Sequence, residues 1–193
     1  GICFAAYICV RYFNLARRRL IFTLANNNMI TCRRAVSEDV QLFRRIRLQA
    51  LKDSPEAFGS TYDSALERDM VSWQEQLDST ISGGLRNTQF AFSDDECVGI
   101  AALYREEGVT HGDIIMMWVS PQHRGSEAAS LLVSNLLDWA CDVEFETVYL
   151  NVTGSNERAV QFYKKCGFIP TGDSIDVDVA RGLHGIRMAK NLG

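Results

Sequence analysis

Neither Asp nor Glu occurs in residues 1–28 of the 193-residue chain, although acids outnumber bases over its full length, 24 to 20. That opening segment also lacks an unbroken apolar stretch of the roughly 20 residues that a spanning helix needs. Arg11 interrupts its first apolar run, and Arg17, Arg18 and Arg19 separate that run from the second. The order of a signal peptide, charges first and a small-residue cleavage site after, is missing too. Residues 1–28 therefore read as an extension outside the domain, either accessory or an upstream readthrough before Met29, with Gly1 a cloning remnant. The domain itself is expected over residues 29–193, and association with a membrane is not expected.

Other absences narrow the class. Prolines number only three, and with 47% apolar residues this excludes a disordered or collagenous chain. The cysteines, at 3, 9, 32, 97, 141 and 166, form no CxxC pair and no His/Cys cluster at metal-ligand spacing. No metal is expected, and a reduced, cytoplasmic setting is. A net charge of −4 argues against bulk nucleic-acid binding. Neither GxGxxG in a parallel βαβ setting nor GxxxxGK[ST] is present, which removes the dinucleotide and P-loop readings.

What is present alternates between the two periods of regular structure. Ile30 to Ala35 reads as a strand, and Ser37 with Glu38 and Asp39 as a helix start whose acids complement the dipole. Leu42, Phe43, Ile46 and Ala50 recur at helical spacing until Asp53-Ser54-Pro55. A second helical region is expected from Ser64 to Leu77, and a loop at Ser82-Gly83-Gly84. Gln89 to Ser93 and Cys97 to Arg105 flank Asp94-Asp95-Glu96 as an antiparallel hairpin, with another strand from Asp113 to Val119. Ala129, Leu132, Val133, Leu136, Leu137 and Ala140 define one apolar helix face. Val148, Leu150 and Val152 alternate with Thr147, Tyr149 and Asn151 in the strand manner. A turn at Thr153-Gly154-Ser155 leads to a helix carrying Ala159, Phe162, Tyr163 and Cys166 on one face and stopped by Gly167. Phe168 to Thr171 and Gly185 to Ala189 complete the expected α/β, mostly antiparallel sheet.

The stretch Met116 to Ala140 carries the most chemical information. A strand there runs through a basic-glycine turn straight into an amphipathic helix, so successive N–H groups and a helix N-terminus converge on one point. A phosphate or pyrophosphate suits that point, with Arg124 and Gly125 where it would dock.

Three motifs in order resemble the GNAT superfamily of N-acetyltransferases over roughly residues 30–190. Val119-x-Pro121-x-x-Arg124-Gly125 with the following small residues and Leu132 is similar to the family's acyl-CoA pyrophosphate loop. Asn156-x-x-Ala159-x-x-x-Tyr163-x-x-x-Gly167-Phe168 is similar to its last helix and following strand. Arg47-Leu48-x-Ala50-Leu51 with Pro55-x-Ala57-Phe58-Gly59 is similar to the first helix and substrate-side loop of many members. The resemblance implies the GNAT fold, acetyl-CoA as co-substrate, acetyl transfer to a small-molecule or peptide amine by direct attack, and a homodimer as one assembly.

Residue by residue, it implies cofactor contacts from Trp118, Val119, Arg124, Gly125, Ser126, Glu127, Ala128, Ala129 and Asn156. For Trp118 and Val119 the contact is by main chain, since in the family this strand splays from its neighbour. The loop departs from the family pattern Arg/Gln-x-x-Gly-x-Gly/Ala. With Arg124 opening it and Ala129 closing it, Glu127 takes the central glycine; in a register opening at Gln122, Glu127 takes the closing small position. Asn156 is equally a helix cap. By spacing alone Tyr163 is a core tyrosine, whereas the resemblance makes it the general acid that protonates the departing thiolate. Phe58 and Tyr62 line the acceptor pocket by family position, or equally pack the second helix.

No general base is assigned. Met116 and Met117 stand where some relatives carry a glutamate, while Glu106, His111 and Asp113 read as solvated strand-end residues. His123, in the turn, reads as exposed or as a phosphate neighbour, His184 near the last strand has nothing to pair it, and Cys166 reads as a small buried hydrophobe. A non-catalytic acyl-CoA-binding domain is the alternative that Glu127 and the missing base keep open. A membrane-associated interaction protein built on residues 1–28 is a second.

Overall fold

In the computed structural model, which describes residues 29–82, 84–153, 156–178 and 182–193, apolar alternation builds one seven-stranded sheet. The strands are β1 (Ile30–Arg34), β2 (Arg86–Ser93), β3 (Glu96–Tyr104), β4 (His111–Val119), β5 (Thr147–Thr153), β6 (Ile169–Asp178) and β7 (Leu183–Asn191). Their order is β1-β2-β3-β4-β5-β7-β6, and every neighbouring pair is antiparallel except β4 with β5. The helices are α1 (Val40–Asp53), α2 (Tyr62–Leu66), α3 (Met70–Ser79), α4 (Ala128–Asp142) and α5 (Glu157–Lys165). The expected extension 1–28, Gly83 of the first loop and Gly154-Ser155 of the second turn lie outside the described residues.

Period 2 along the strands divides the core into two layers. Ala91, Val98, Ala101, Val148 and Leu150 face α4 and α5, where Leu132, Val133, Leu136, Ala140 and Val160 close the layer. Phe90, Cys97, Ile100 and Trp118 face the other way, under Phe43, Ile46, Ala50 and Leu51 of α1 and Trp73 and Leu77 of α3. The α4 stripe is buried as its periodicity predicts, except that Ala129 is only half-buried. On α1 the buried stripe is Phe43, Ile46, Arg47, Ala50 and Leu51. One of its five members is thus an arginine.

Two helix boundaries differ from expectation, each through a local polar contact. The region 64–77 is two helices, because the Asp69 carboxylate accepts the Ser72 N–H at 2.8 Å and starts α3 afresh, while Thr61 caps α2. Ser37 opens a single 3-10 turn and turns its hydroxyl to Asp78 at 2.7 Å instead of capping. Asp39 accepts the Val36 N–H in its place, at 2.9 Å.

The feature that positions the site is the centre of the sheet. In β3–β4, Ile100 pairs with Trp118 and Ala102 with Ile115, so Met116 and Met117 together oppose the single residue Ala101. This bulge holds Met116 at φ +57°. On the other edge of β4, parallel pairing to β5 runs only from His111–Thr147 to Ile114–Leu150. Beyond it the two strands part, and β5 continues to Thr153 with β7 as its partner.

Candidate functional site

The parting of β4 and β5 opens a cavity of about 590 Å³. Ile114 to Met117 form one wall, Leu150 to Thr153 the other, and Asn156, Ala159 and Tyr163 of α5 close the end. On the far side stand Arg47, Phe58, Thr80, Arg86 and Asp176. The bulge residues Met116 and Met117 therefore border a space that also reaches titratable side chains.

The loop following β4 is built to leave amides unpaired. A 3-10 turn, Pro121–His123, is closed by the His123 N–H to the Ser120 carbonyl at 2.9 Å, and the next turn by the Ser126 N–H to the His123 carbonyl at 3.1 Å. Ser126 Oγ donates to that same carbonyl at 2.7 Å and accepts the Ala128 N–H at 3.2 Å. Gly125 holds φ +92°, the left-handed region that favours glycine. The N–H groups of Gly125, Glu127, Ala129 and Ser130 find no acceptor among the described residues. They form an anion cradle at the N-terminus of the 15-residue α4. Glu127, at the start of this helix, has φ −76° and ψ −3° and is exposed. Those dihedrals suit any residue, so the position does not require glycine for backbone conformation.

Arg124 spends its side chain elsewhere. Its Nε donates to the Val119 carbonyl at 3.1 Å, and its Nη2 pairs with the Asp53 carboxylate and reaches Ser54 Oγ at 3.3 Å. Asp53 also accepts the Trp118 indole N–H at 2.9 Å. Burial alone would raise the Asp53 carboxyl, but the hydrogen bonds from Trp118 and Ser54 and the charge of Arg124 hold it below the ordinary aspartate value. A cation from another element stands beside the cradle: Arg158 of α5, whose Nη2 would lie 3.7 Å from a Cβ placed on Gly125. Sequence reasoning passed over both Asp53 and Arg158. The only signal for Arg158 was its place two residues after Asn156.

Tyr163 packs edge-on against Phe162 (5.1 Å) and Phe168 (5.9 Å) and contributes to the cavity wall. Burial, with a smaller effect from Cys166, pushes its hydroxyl well above the usual phenol value, so it is neutral at physiological pH. Asn156 caps α5 by accepting the Ala159 N–H at 3.0 Å and also lines the cavity. Phe58 does so too, whereas Tyr62 lies beside Lys52 outside the cavity wall. Trp118 and Val119 are buried in the two core layers and do not line the cavity; of this strand Ile114 to Met117, immediately before them, do. Ala128 is fully buried and Ala129 half-buried beneath the cradle.

Of the weighed bases, none lines the cavity. Asp113 pairs with Arg187 at 3.1 Å, and His111 lies edge-on to Tyr149. His184 Nδ1 and Asp176 Oδ1 are 2.7 Å apart across β6 and β7, giving His184 a partner that its sequence neighbours do not reveal. Burial raises the Cys166 thiol above its ordinary value, which disfavours a thiolate nucleophile. Among the described residues no three His, Cys, Asp or Glu side chains are grouped to hold a metal ion, and no helix is long and apolar enough to cross a membrane.

Comparison with known proteins matches this geometry. The Acetyltransferase (GNAT) family profile matches residues 48–168. A mycothiol acetyltransferase of Nocardiopsis dassonvillei is 26% identical over 137 residues, which is 69% of this chain and 40% of that protein. The chain thus spans less than half the length of that relative. A GNAT-family acetyltransferase of Streptococcus pneumoniae superposes with a TM-score of 0.71 at 19% identity, covering 86% of this chain and 100% of the other. A ribosomal-protein-alanine N-acetyltransferase of Brucella melitensis gives 0.70 at 18% identity, covering 84% and 99%. For a spermidine N-acetyltransferase of Vibrio cholerae, in complex with CoA and spermine, the values are 0.67 and 17%, covering 86% and 96%. At such identities the structural likeness is one of fold. The family profile spans well over half of the chain, and the chain belongs to the GNAT acetyltransferase family.

Proposed function

We propose that this protein transfers an acetyl group from acetyl-CoA to a primary amine by direct attack. The observation that carries the reading is the strand gap between β4 and β5, whose cavity a neutral Tyr163 lines, together with the amide cradle in the loop that directly follows β4.

The residues present suit acetyl-CoA, which supplies an activated acetyl group as a thioester. Free N–H groups of Gly125, Glu127, Ala129 and Ser130, with Arg158 beside them, suit its pyrophosphate. Main-chain groups at Met116 and Met117 are available to the pantetheine arm and to the thioester carbonyl. Tyr163 holds a proton on its hydroxyl for the leaving sulfur, and burial keeps it there at neutral pH. The reading includes a small-molecule or peptide amine as acceptor, no nucleic-acid partner, a cytoplasmic setting and a homodimer.

The test is the melting temperature of the full chain titrated with acetyl-CoA, with desulfo-CoA and ATP as controls, followed by CoA release in the presence of an amine panel. Mass action gives about 2.7 kcal/mol of stabilisation at a hundredfold excess over Kd. A saturable shift specific to CoA species together with amine-dependent CoA release is expected. A specific shift without release from any amine would leave a non-catalytic acyl-CoA-binding domain, and no shift up to millimolar ligand would defeat both readings.

A further inference from the structure

The guanidinium of Arg47 is a buried charge with no counter-ion among the described residues. Its residue is 5% exposed and sits at a position of the α1 stripe otherwise taken by Phe43, Ile46, Ala50 and Leu51. Nε and Nη1 are sealed from solvent with no hydrogen-bond partner, and no carboxylate pairs with the group among the described residues. A favourable neighbour is the Phe58 ring, 4.9 Å from Cζ. The nearby Arg68 charge makes matters worse. An uncompensated buried cation is expensive, and with no partner for it among the described residues, a ligand of the cavity is the source of one.

Its location says which partner. Arg47 borders the same cavity as Tyr163 and the Met116–Met117 bulge, so an anion meeting it would share that cavity with the reacting amine. Arg86 adds a second cation on the same side, and the Asp176 carboxylate is the acid that lines the cavity. A polyamine would bring a further positive charge against Arg47 and Arg86. An amine that carries a carboxylate would instead neutralise Arg47 through the planar donor fork that suits a carboxylate.

Resting on the acetyltransferase reading, we propose that the acceptor is an amino acid, an amine bearing a carboxylate, and that Arg47 is the residue that recognises the carboxylate. Phe58 packs on the guanidinium and holds its plane. Arg47 then sets specificity and takes no part in the bond changes.

Matched pairs test this: ornithine with putrescine, lysine with cadaverine, and phenylalanine with phenethylamine, each an amino acid and the amine left by removing its carboxylate. The full chain is assayed for CoA release, as native protein and as Arg47→Met and Arg47→Lys, and each is first titrated with acetyl-CoA by melting temperature. The native protein is expected to favour the carboxylated member of at least one pair by about 100-fold in kcat/KM. Arg47→Met should bring that preference to within about threefold while keeping the acetyl-CoA shift, and Arg47→Lys should restore part of it. Arg47→Met should also melt higher than native, since an unpaired buried charge is gone. The proposal is overturned if the protein responds to acetyl-CoA yet favours no carboxylated member of any pair, or if the preference survives in Arg47→Met. Absence of any acetyl-CoA response overturns the acetyltransferase reading beneath it, an outcome distinct from both.

Discussion

The carboxylate of Asp53, the last residue of α1, accepts the indole N–H of Trp118 at 2.9 Å across 65 positions of sequence. Arg124 pairs with the same carboxylate, so one acid ties the first helix both to the end of β4 and to the loop that follows it. The Asp53 side chain is 24% exposed, buried enough for its partners to matter and wet enough for solvent to weaken them. Asp53→Asn is expected to cost about 1–2 kcal/mol, or roughly 2–8 °C in Tm, and to weaken acetyl-CoA binding by loosening the loop. The carboxyl is held below its ordinary value in the folded state, so its contribution is fully present above the unfolded value near 4 and lost as pH falls through the folded one. The Tm difference between native protein and Asp53→Asn should accordingly stay constant from about pH 8 to 5 and shrink below about pH 4. A gap that persists at about pH 2 would mean that the contact acts through its shape alone.

Met116 sits at φ +57° in a strand and is one of the residues that line the cavity. A β-branched side chain tolerates that region poorly, so Met116→Val should cost about 1–2 kcal/mol or flatten the bulge. In either case affinity for acetyl-CoA should fall, as isothermal titration would report. Equal affinity in the variant would show that the bulge does not serve the cofactor.

Glu127 is exposed and helical at the mouth of the amide cradle. Its charge favours the N-terminus of α4 and disfavours a pyrophosphate. Glu127→Gln should therefore tighten acetyl-CoA about twofold to fivefold at low salt, less at high salt, and lower the ligand-free Tm slightly. Affinity that does not change with either the substitution or salt would mean that the carboxylate points away from the ligand.

Tyr163→Phe keeps the ring that packs on Phe162 and Phe168 and removes the hydroxyl alone. Turnover should fall by about 10²-fold or more with little change in acetyl-CoA affinity or Tm. Because the phenol is raised above its ordinary value, no alkaline loss of rate below about pH 10 should come from it. Unchanged turnover would return Tyr163 to the core.

Local pattern carried much of this protein. Period 3.6 in Leu132, Val133, Leu136, Leu137 and Ala140 places α4, period 2 in Val148, Leu150 and Val152 places β5, and the acids between Ser93 and Cys97 place the hairpin turn, because burial of one face is a short-range constraint on residue order. The loop of Gly125 and the helix of Tyr163 were legible for the same reason. Tertiary structure alone decided what depends on residues far apart in sequence. The Asp53 contacts span 65 and 71 positions. The bulge at Met116 exists only in the register of β4 against β3. Arg47, by sequence one basic residue on a helix, becomes an unpaired charge only when α1 turns that face inward against the cavity. Periodicity says which face is buried, but which side chains meet there is a property of the packed sheet and helices together.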